Sequence, residues 1–253
     1  MTAPLRLLTL APSHYSEKAR WALDLTGLPY RERCMAPGLH YRALKAVGSR
    51  SVPTVLFPDG SMLKDSTDIL KHLHQQRPDL GLWPQDPARA AEVDALEEEL
   101  DEQLASRVRD WMYSWGMYQR GLARKLFDRR LPLHHRVYLA AVAPSLPRLI
   151  RRRFKLDRIP AGEHLARLQE IWSRMDARLA DGRRYLTGDS FTAADLTLAA
   201  MGGQVIGVEG YGGQTVPLAD RPPEARATSE QFAASPAGRL ITRLYREHRG
   251  VVR

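Results

Sequence analysis

Residues 5–27 read LRLLTLAPSHYSEKARWALDLTG, and this stretch decides how the chain begins to fold. The run Leu5–Leu10 predicts a buried strand, and Glu17–Leu25 predicts a helix that ends at Gly27. The segment between them, Ser13–Ser16, therefore lies at a helix N-terminus, where free N–H groups and the helix dipole favour a bound anion. A serine before a helix is also a common cap, so this stretch alone leaves two interpretations open.

The residues downstream predict the element order βαβαββα. The further elements are a strand at Tyr30–Met35, a helix at Leu39–Ala46, a strand at Thr54–Phe57, a hairpin turn at Pro58–Ser61, a strand at Met62–Lys64 and a helix capped by Asp65–Asp68. Because proline cannot donate to a sheet ladder, Pro53 belongs at the entrance of its strand. A cis bond there would turn the Val52 backbone toward a ligand.

This order, together with Ser13 before the first helix and Val52-Pro53 before the third strand, resembles the glutathione S-transferase superfamily. The resemblance covers Leu5 to about Gln76. It implies an α/β, thioredoxin-like N-terminal domain followed by an all-helical domain. It also implies a transferase that conjugates the glutathione thiolate to a small hydrophobic electrophile.

The resemblance carries over to particular residues. Ser13 stands at the first position of a Cys-x-x-Cys-like frame, as in the bacterial-type serine and cysteine classes, and is expected to stabilise the thiolate. Tyr15 and Ser16 are rival catalytic residues, because related families use a tyrosine and a helix start is uncertain by a residue or two. Serine at both ends of the frame argues against glutaredoxin-like thiol exchange, which needs a thiolate on the enzyme.

The same resemblance implies a set of glutathione-binding residues. Asp65 and Ser66 would hold the γ-glutamyl end, since a carboxylate accepts from an ammonium while a hydroxyl at a helix N-terminus donates to a carboxylate. The remaining candidates are Val52, Pro53 and Arg50, with His40, Arg42 and Lys45 as weaker alternatives to Arg50.

A second fragment, Tyr185–Ala199, contains Thr192-x-x-Asp195, which predicts an N-terminal capping box. It resembles the capping motif in the helical domain of the same superfamily, where its role is structural. We therefore expect Asp195 to stabilise the fold and not to act as a catalytic base.

The predicted domains are a glutathione-binding domain over 1–77, a proline-rich linker over 78–87 and a helical second-substrate domain over 88–253. One long helix is predicted from the apolar stripe Val93, Leu96, Leu100, Leu104, Val108, Met112 and Trp115, and a second stripe runs Leu165, Leu168, Trp172, Met175 and Leu179. The acidic residues that alternate with the first stripe are expected to face solvent; they are Glu92, Asp94, Glu97, Glu98, Glu99, Asp101 and Glu102. Trp111, Trp115 and Tyr118 are the candidates for a second-substrate pocket, with core packing as the alternative.

Residues 120–158 contain twelve Lys or Arg residues, against Asp128 and Asp157 as the acids. A solvated helical surface is the simplest explanation. The sequence has no recognised nucleic-acid reading module, so no specific nucleic acid is expected. Leu131–Ile150 is too interrupted to span a membrane, although a peripheral contact stays open.

The remaining features limit the function classes. A single cysteine, Cys34, excludes an internal disulfide and is expected to be a small buried residue, and no metal-ligand spacing occurs. The N-terminus lacks the pattern of a signal peptide, so a cytoplasmic protein is expected.

Glycines concentrated over 202–213 indicate either a flexible loop or a mobile cover for the second substrate. The resemblance makes a homodimer possible, and it leaves one alternative function open, an inactive scaffold that uses the basic segment to bind a protein or an acidic surface.

Overall fold

The computed structural model describes residues 4–119, 121–128 and 131–249. Its first elements are β1 (Leu5–Thr9), α1 (His14–Thr26), β2 (Tyr30–Cys34), α2 (Leu39–Ala46), β3 (Thr54–Leu56), β4 (Met62–Leu63) and α3 (Ser66–Gln76). The predicted βαβαββα order is confirmed. The sheet runs β2-β1-β3-β4, with β1 parallel to β2 and antiparallel to β3, which in turn is antiparallel to β4.

The rest of the described chain is helical. Its helices are α4 (Pro87–Glu99), α5 (Ala105–Gly116), α6 (Leu122–Asp128), α7 (Leu133–Val142), α8 (Leu146–Phe154), α9 (Ala161–Arg178), α10 (Ala193–Ile206), α11 (Pro223–Ala234) and α12 (Pro236–Glu247). Short 3₁₀ turns lie at Pro78–Leu80, Leu156–Arg158 and Leu218–Asp220. The predicted linker 78–87 lies between α3 and α4, while the domain boundaries themselves stay a prediction.

The long helix predicted around Val93–Trp115 is present, and the backbone stays helical from Pro87 to Gly116. A π-helical turn, Leu100–Leu104, joins α4 to α5. Its stripe is nevertheless buried as predicted, because Leu100 and Leu104 are fully enclosed and continue the apolar face of both helices. π-turns within helices are common near functional sites. Here the turn carries Asp101 to the interface between the domains, where its carboxylate contacts Lys18.

Two apolar cores hold the domains in place. The larger one is continuous across both domains, because α1 packs against α3 on one side and against α10 on the other. The smaller one, Leu8, Met35, Leu44 and Leu56, lies between the sheet and α2. Cys34 is a buried residue of β2, as predicted.

Not every acid of α4 and the π-turn faces solvent, and the prediction for this group is wrong for Glu97. Its side chain is buried and forms an ion pair with Lys18 of α1, whose ammonium also lies 2.6 Å from Asp101. Thr67 and Thr197 donate to the same Glu97 carboxylate. The predicted hydrophilic face is thus in part a polar junction that joins α1, α3, α4 and α10.

The capping box is confirmed. The backbone N–H groups of Leu186 and Thr192 donate to the Asp195 carboxylate at 2.8 and 2.9 Å, and the three residues are buried. Burial raises the pKa of Asp195 to about 6. The carboxylate thus caps the N-terminus of α10, the helix against which α1 packs.

We expect Asp195→Ala to lower the free energy of unfolding by about 2–4 kcal/mol, because the change leaves two buried N–H groups without an acceptor and removes a cap. Urea unfolding followed by circular dichroism measures this loss. Asp189→Ala, at an exposed position in the same loop, is the matched control and should change stability by less than about 0.5 kcal/mol. Equal effects of the two changes would contradict a structural role for Asp195.

Candidate functional site

A cavity of about 530 Å³ lies between the two domains, at the N-terminus of α1. From the first domain its wall includes Ser13, Tyr15, His40 and Val52, and from the helical domain it includes Arg109, Met112, Tyr113, Phe127, Tyr138, Leu146, Ile150 and Phe154. Most of these side chains are apolar or aromatic. A cleft of this size and composition suits a small organic molecule held against a few polar groups.

Ser13 is the N-cap of α1 and lies on the wall of this cavity. Its Oγ accepts a hydrogen bond from the backbone N–H of Ser16 at 3.1 Å. Because a hydroxyl can accept and donate at once, its own proton remains able to reach a group in the cavity. The positive end of the α1 dipole lies at the same place, so a thiolate beside Ser13 would meet a donor and a favourable field.

The structure separates Ser13 from its two rivals. The Tyr15 hydroxyl donates to the backbone carbonyl of Asp101 at 3.1 Å, and burial raises the pKa of Tyr15 to about 12. Its proton therefore ties α1 to the helical domain. Ser16 is fully enclosed, and its side chain is not part of the cavity wall. Of the three, Ser13 combines a place on the wall with a hydroxyl able to donate.

His14 is a wall residue that the sequence did not single out. It is buried, and burial together with the nearby Arg109 lowers its pKa to about 3, against a smaller raising effect of a hydrogen bond with Gln204. Gln204 itself donates to the carbonyl of Pro12. The imidazole is therefore neutral at physiological pH, and it adds no positive charge to the wall next to Ser13.

The low pKa of His14 predicts sensitivity to acid. The unfolded chain binds a proton at this histidine near pH 6.5 and the folded chain does not, so stability falls as the pH drops below that value. We expect the His14 contribution to fall by about 2 kcal/mol between pH 7 and pH 5. His14→Gln should remove this part of the pH dependence, as measured by urea unfolding at both pH values. His134→Gln, at an exposed histidine, should keep the wild-type dependence, and a His14→Gln profile that matches wild type would contradict the assignment.

The candidate glutathione-binding residues lie at two sites, the cavity wall before β3 and the N-terminus of α3. The Val52-Pro53 bond is cis, and Val52 lines the cavity. Asp65 caps α3 by accepting from the backbone N–H of Thr67 at 2.8 Å and is exposed, while Ser66 is buried and donates to Asp101 at 3.4 Å. These caps fix the N-terminus of α3.

The basic candidates of the first domain differ in position. Arg50, Arg42 and Lys45 are exposed, and none of the three belongs to the cavity wall. His40 does line the cavity, and its Nδ1 accepts from the backbone N–H of Gly38 at 3.1 Å. Burial lowers its pKa, so it too is a neutral wall residue at neutral pH.

The three aromatic residues proposed for the second-substrate pocket lie elsewhere. Trp111 packs edge-on against Trp115 and Phe232 in the helical core, and the Arg221 guanidinium lies over the Trp115 ring. Tyr118 is exposed and donates to Asp157. None of the three is on the cavity wall.

A different side of α5, which includes the stripe residue Met112, supplies the wall instead. Arg109, Met112 and Tyr113 line the cavity. The Arg109 guanidinium lies 4.6 Å from the centre of the Phe154 ring of α8. A heptad-like stripe identifies the buried face of a helix, but both faces of α5 are partly buried here, so the stripe alone did not show which one borders the cleft.

The basic segment 120–158 is more than a solvated surface. Arg120, Arg129 and Arg130 lie outside the described residues, but α7 and α8 place Tyr138, Val142, Leu146, Ile150 and Phe154 on the cavity wall. The start of α7 is joined to the first domain, because the backbone N–H of Ala36 donates to His135 Nδ1 at 3.2 Å. The segment thus forms one side of the cleft.

The glycine-rich stretch is anchored against the first domain. Gly202 and Gly203 lie within α10, and the N–H of Gly212 donates to the buried Glu17 carboxylate at 3.0 Å. The N–H of Gln214 donates to the carbonyl of Ala11 at 2.8 Å, and a Cβ at Gly213 would approach that carbonyl oxygen to 2.7 Å. Glycine is needed for this close approach, which fixes the loop just before Ser13.

Across 4–119, 121–128 and 131–249, no three His, Cys, Asp or Glu side chains are grouped so that they could hold a metal ion. In the same ranges no helix has both the length and the apolar composition needed to cross a bilayer.

Comparison with known families places the chain. The N-terminal domain family of glutathione S-transferases matches residues 7–81, and the C-terminal domain family of the same proteins matches residues 151–227. The two matches together cover more than half of the chain. The chain therefore belongs to the glutathione S-transferase superfamily, although no curated protein sequence matches it significantly.

Solved structures share the fold at low identity. The β-etherase LigF from Sphingobium sp. strain SYK-6 has a TM-score of 0.59 at 21% identity, with 96% of this chain and 99% of that chain covered. The glutathione transferase GSTFuA3 from Phanerochaete chrysosporium has a TM-score of 0.62 at 17% identity over 100% of both chains. The theta class glutathione S-transferase of Xanthomonas axonopodis pv. citri, solved with glutathione bound, has a TM-score of 0.53 at 23% identity over 100% and 99%. At these identities the likeness establishes the architecture.

Proposed function

We propose that this protein conjugates the thiolate of glutathione to a small hydrophobic electrophile in the cavity between its domains. The observation that carries the proposal is the position of Ser13, an N-cap with a hydroxyl on the wall of an apolar cleft. Family membership and relatives crystallised with glutathione support glutathione as the co-substrate.

Thiol activation is the first part of the proposed mechanism. A free thiol has a pKa near 8.5, so only a few per cent is ionised at neutral pH. A hydrogen bond from Ser13 and the α1 dipole both favour the charged sulfur, and a shift of about two units, roughly 2.7 kcal/mol, would make the thiolate the major form. The proton leaves to solvent. The sulfur then attacks the electrophilic carbon and forms a C–S bond, while the bond from that carbon to its leaving group breaks and the leaving group, chloride for a chloroarene, departs to solvent with the electron pair.

Positioning is the second part. Val52 at the entrance of β3, and Asp65 and Ser66 at the start of α3, are the proposed contacts for the peptide and its γ-glutamyl end. Arg50, which lies two residues before Val52 in the chain, is the proposed contact for the glycyl carboxylate. The electrophile would lie against the apolar wall of α5, α7 and α8, where the chemistry gains from proximity and from partial exclusion of water.

Calorimetric titration with glutathione, followed by a conjugation assay with 1-chloro-2,4-dinitrobenzene, tests the proposal. We expect saturable binding in the micromolar to millimolar range and conjugation above the uncatalysed rate. An absence of binding at millimolar glutathione would favour the alternative, a scaffold protein that has the fold without the chemistry.

A further inference from the structure

The outer side of the cleft carries a strong positive charge that the proposed chemistry does not use. Over residues 131–158 the basic side chains are Arg136, Arg148, Arg151, Arg152, Arg153, Lys155 and Arg158, and the acid is Asp157. Asp157 is already engaged by Tyr118 and lies 3.5 Å from Arg151. The other arginines on α8, including Arg148, Arg152 and Arg153, are exposed.

Exposed apolar side chains accompany this charge. Among the described residues, the large hydrophobic side chains with the greatest exposure are Leu133 at 74%, Val137 at 65% and Leu149 at 58%, and all three lie on α7 or α8. Leu133 and Val137 are four residues apart and therefore share one face of α7. Leaving such side chains in water forfeits the free energy of their burial, so their concentration indicates a surface that is covered by a partner.

The exposed groups reach the mouth of the cavity. Leu149 and Arg153 of α8 line the cavity and are also exposed, so they mark its opening. Tyr41 of α2 does the same from the first domain, with 55% of its surface exposed. The charged and apolar surface is therefore continuous with the entrance through which a hydrophobic molecule would pass.

We propose that the outer surface of α7 and α8 docks on a bilayer that contains anionic lipids, with the mouth of the cleft facing the membrane. Arginines attract anionic headgroups, while leucine, valine and tyrosine side chains enter the boundary between headgroups and acyl chains. A hydrophobic compound dissolved in the bilayer would then lie beside the cavity. This docking does not depend on the glutathione chemistry.

Two other occupants fit the surface less well. A second copy of the chain in a two-fold dimer would bring this positive surface against itself, which costs free energy through like-charge repulsion. A nucleic acid would satisfy the arginines through its phosphates, but a phosphate backbone offers nothing apolar to cover Leu133, Val137 and Leu149. An anionic bilayer matches both the charge and the apolar groups.

Co-sedimentation of the protein with vesicles tests the inference. We expect binding to phosphatidylcholine vesicles that contain about 30% phosphatidylglycerol, little binding to pure phosphatidylcholine, and weaker binding as salt is raised. The absence of a difference between the two vesicle types would overturn the proposal.

Two double variants measure separately how much the arginines and the apolar side chains contribute to vesicle binding. Arg148→Gln with Arg152→Gln should lower the partition coefficient about 10- to 30-fold, and Leu133→Ser with Val137→Ser should lower it about tenfold. The matched control, Arg226→Gln with Arg246→Gln, makes the same change in net charge on α11 and α12 and should retain binding. Melting temperatures of all variants verify that each is folded. Unchanged vesicle binding by the variant with serine at positions 133 and 137 would show that the surface binds anionic groups through charge alone. That result would overturn membrane docking.

Discussion

Replacing Ser13 with alanine is expected to lower kcat/KM for conjugation about 10- to 100-fold near pH 6.5, because the glutathione thiol loses its hydroxyl donor and returns toward its ordinary pKa near 8.5. The loss should shrink at pH 9, where the thiol ionises without help. Glutathione affinity should change little, since the remaining contacts are intact. Initial rates measured across this pH range give the result.

Two further variants make the Ser13 test specific. Ser13→Ala also removes a helix cap worth about 1 kcal/mol, whereas Ser13→Gly preserves most of that capping energy and should lose the same activity. Ser16→Ala is the same chemical change three residues along, at a hydroxyl that is buried away from the cavity wall, and should leave the rate unchanged. A wild-type rate in Ser13→Ala, or a loss confined to Ser16→Ala, would remove Ser13 from the mechanism.

Lys18→Met is expected to lower the free energy of unfolding by about 3–5 kcal/mol, because it leaves the Glu97 carboxylate buried without its cation. Lys18 is enclosed completely, and it contacts Thr67, Glu97 and Asp101 at the junction of the two domains. Loss of this cation should therefore weaken the domain interface as well as α1. Chemical unfolding followed by intrinsic tryptophan fluorescence measures the effect.

A matched lysine provides the control. Lys71 pairs with Asp94 at 2.9 Å, but both side chains are about half exposed, at 47% and 48%. Lys71→Met should cost less than about 1 kcal/mol, as solvated pairs usually do. Adding Glu97→Met to Lys18→Met should recover part of the loss, since the unpaired charge is then removed. Similar losses in the Lys18 and Lys71 variants would refute the assigned importance of the buried pair.

The first domain could be predicted closely because its signals are local. Caps, turns and strand patterns are set by neighbouring residues, so Leu39–Ala46 is a helix with the predicted bounds. For the same reason the capping box of Thr192 and Asp195 could be predicted in the helical domain. Ser13 could likewise be identified as a cap from the residues that follow it.

The cleft could not be predicted as well, because it depends on contacts between distant parts of the chain. Glu97 has the same local pattern as its exposed neighbours, and only the approach of Lys18 explains its burial. In the same way, the core residue Trp111 and the wall residue Tyr113 are aromatic side chains two residues apart on one helix. The packing of α8 and α11 determines which of them meets the cavity.

We propose that the cleft holds glutathione with its sulfur charged beside Ser13, and every step of the proposed conjugation depends on that charge. Ultraviolet titration of the thiolate absorbance of bound glutathione, from pH 5 to pH 10, tests it most directly. We expect a midpoint about two units below the free value near 8.5 in the wild type, and a midpoint close to the free value in Ser13→Ala. Coincident midpoints for bound and free glutathione in the wild type would contradict it.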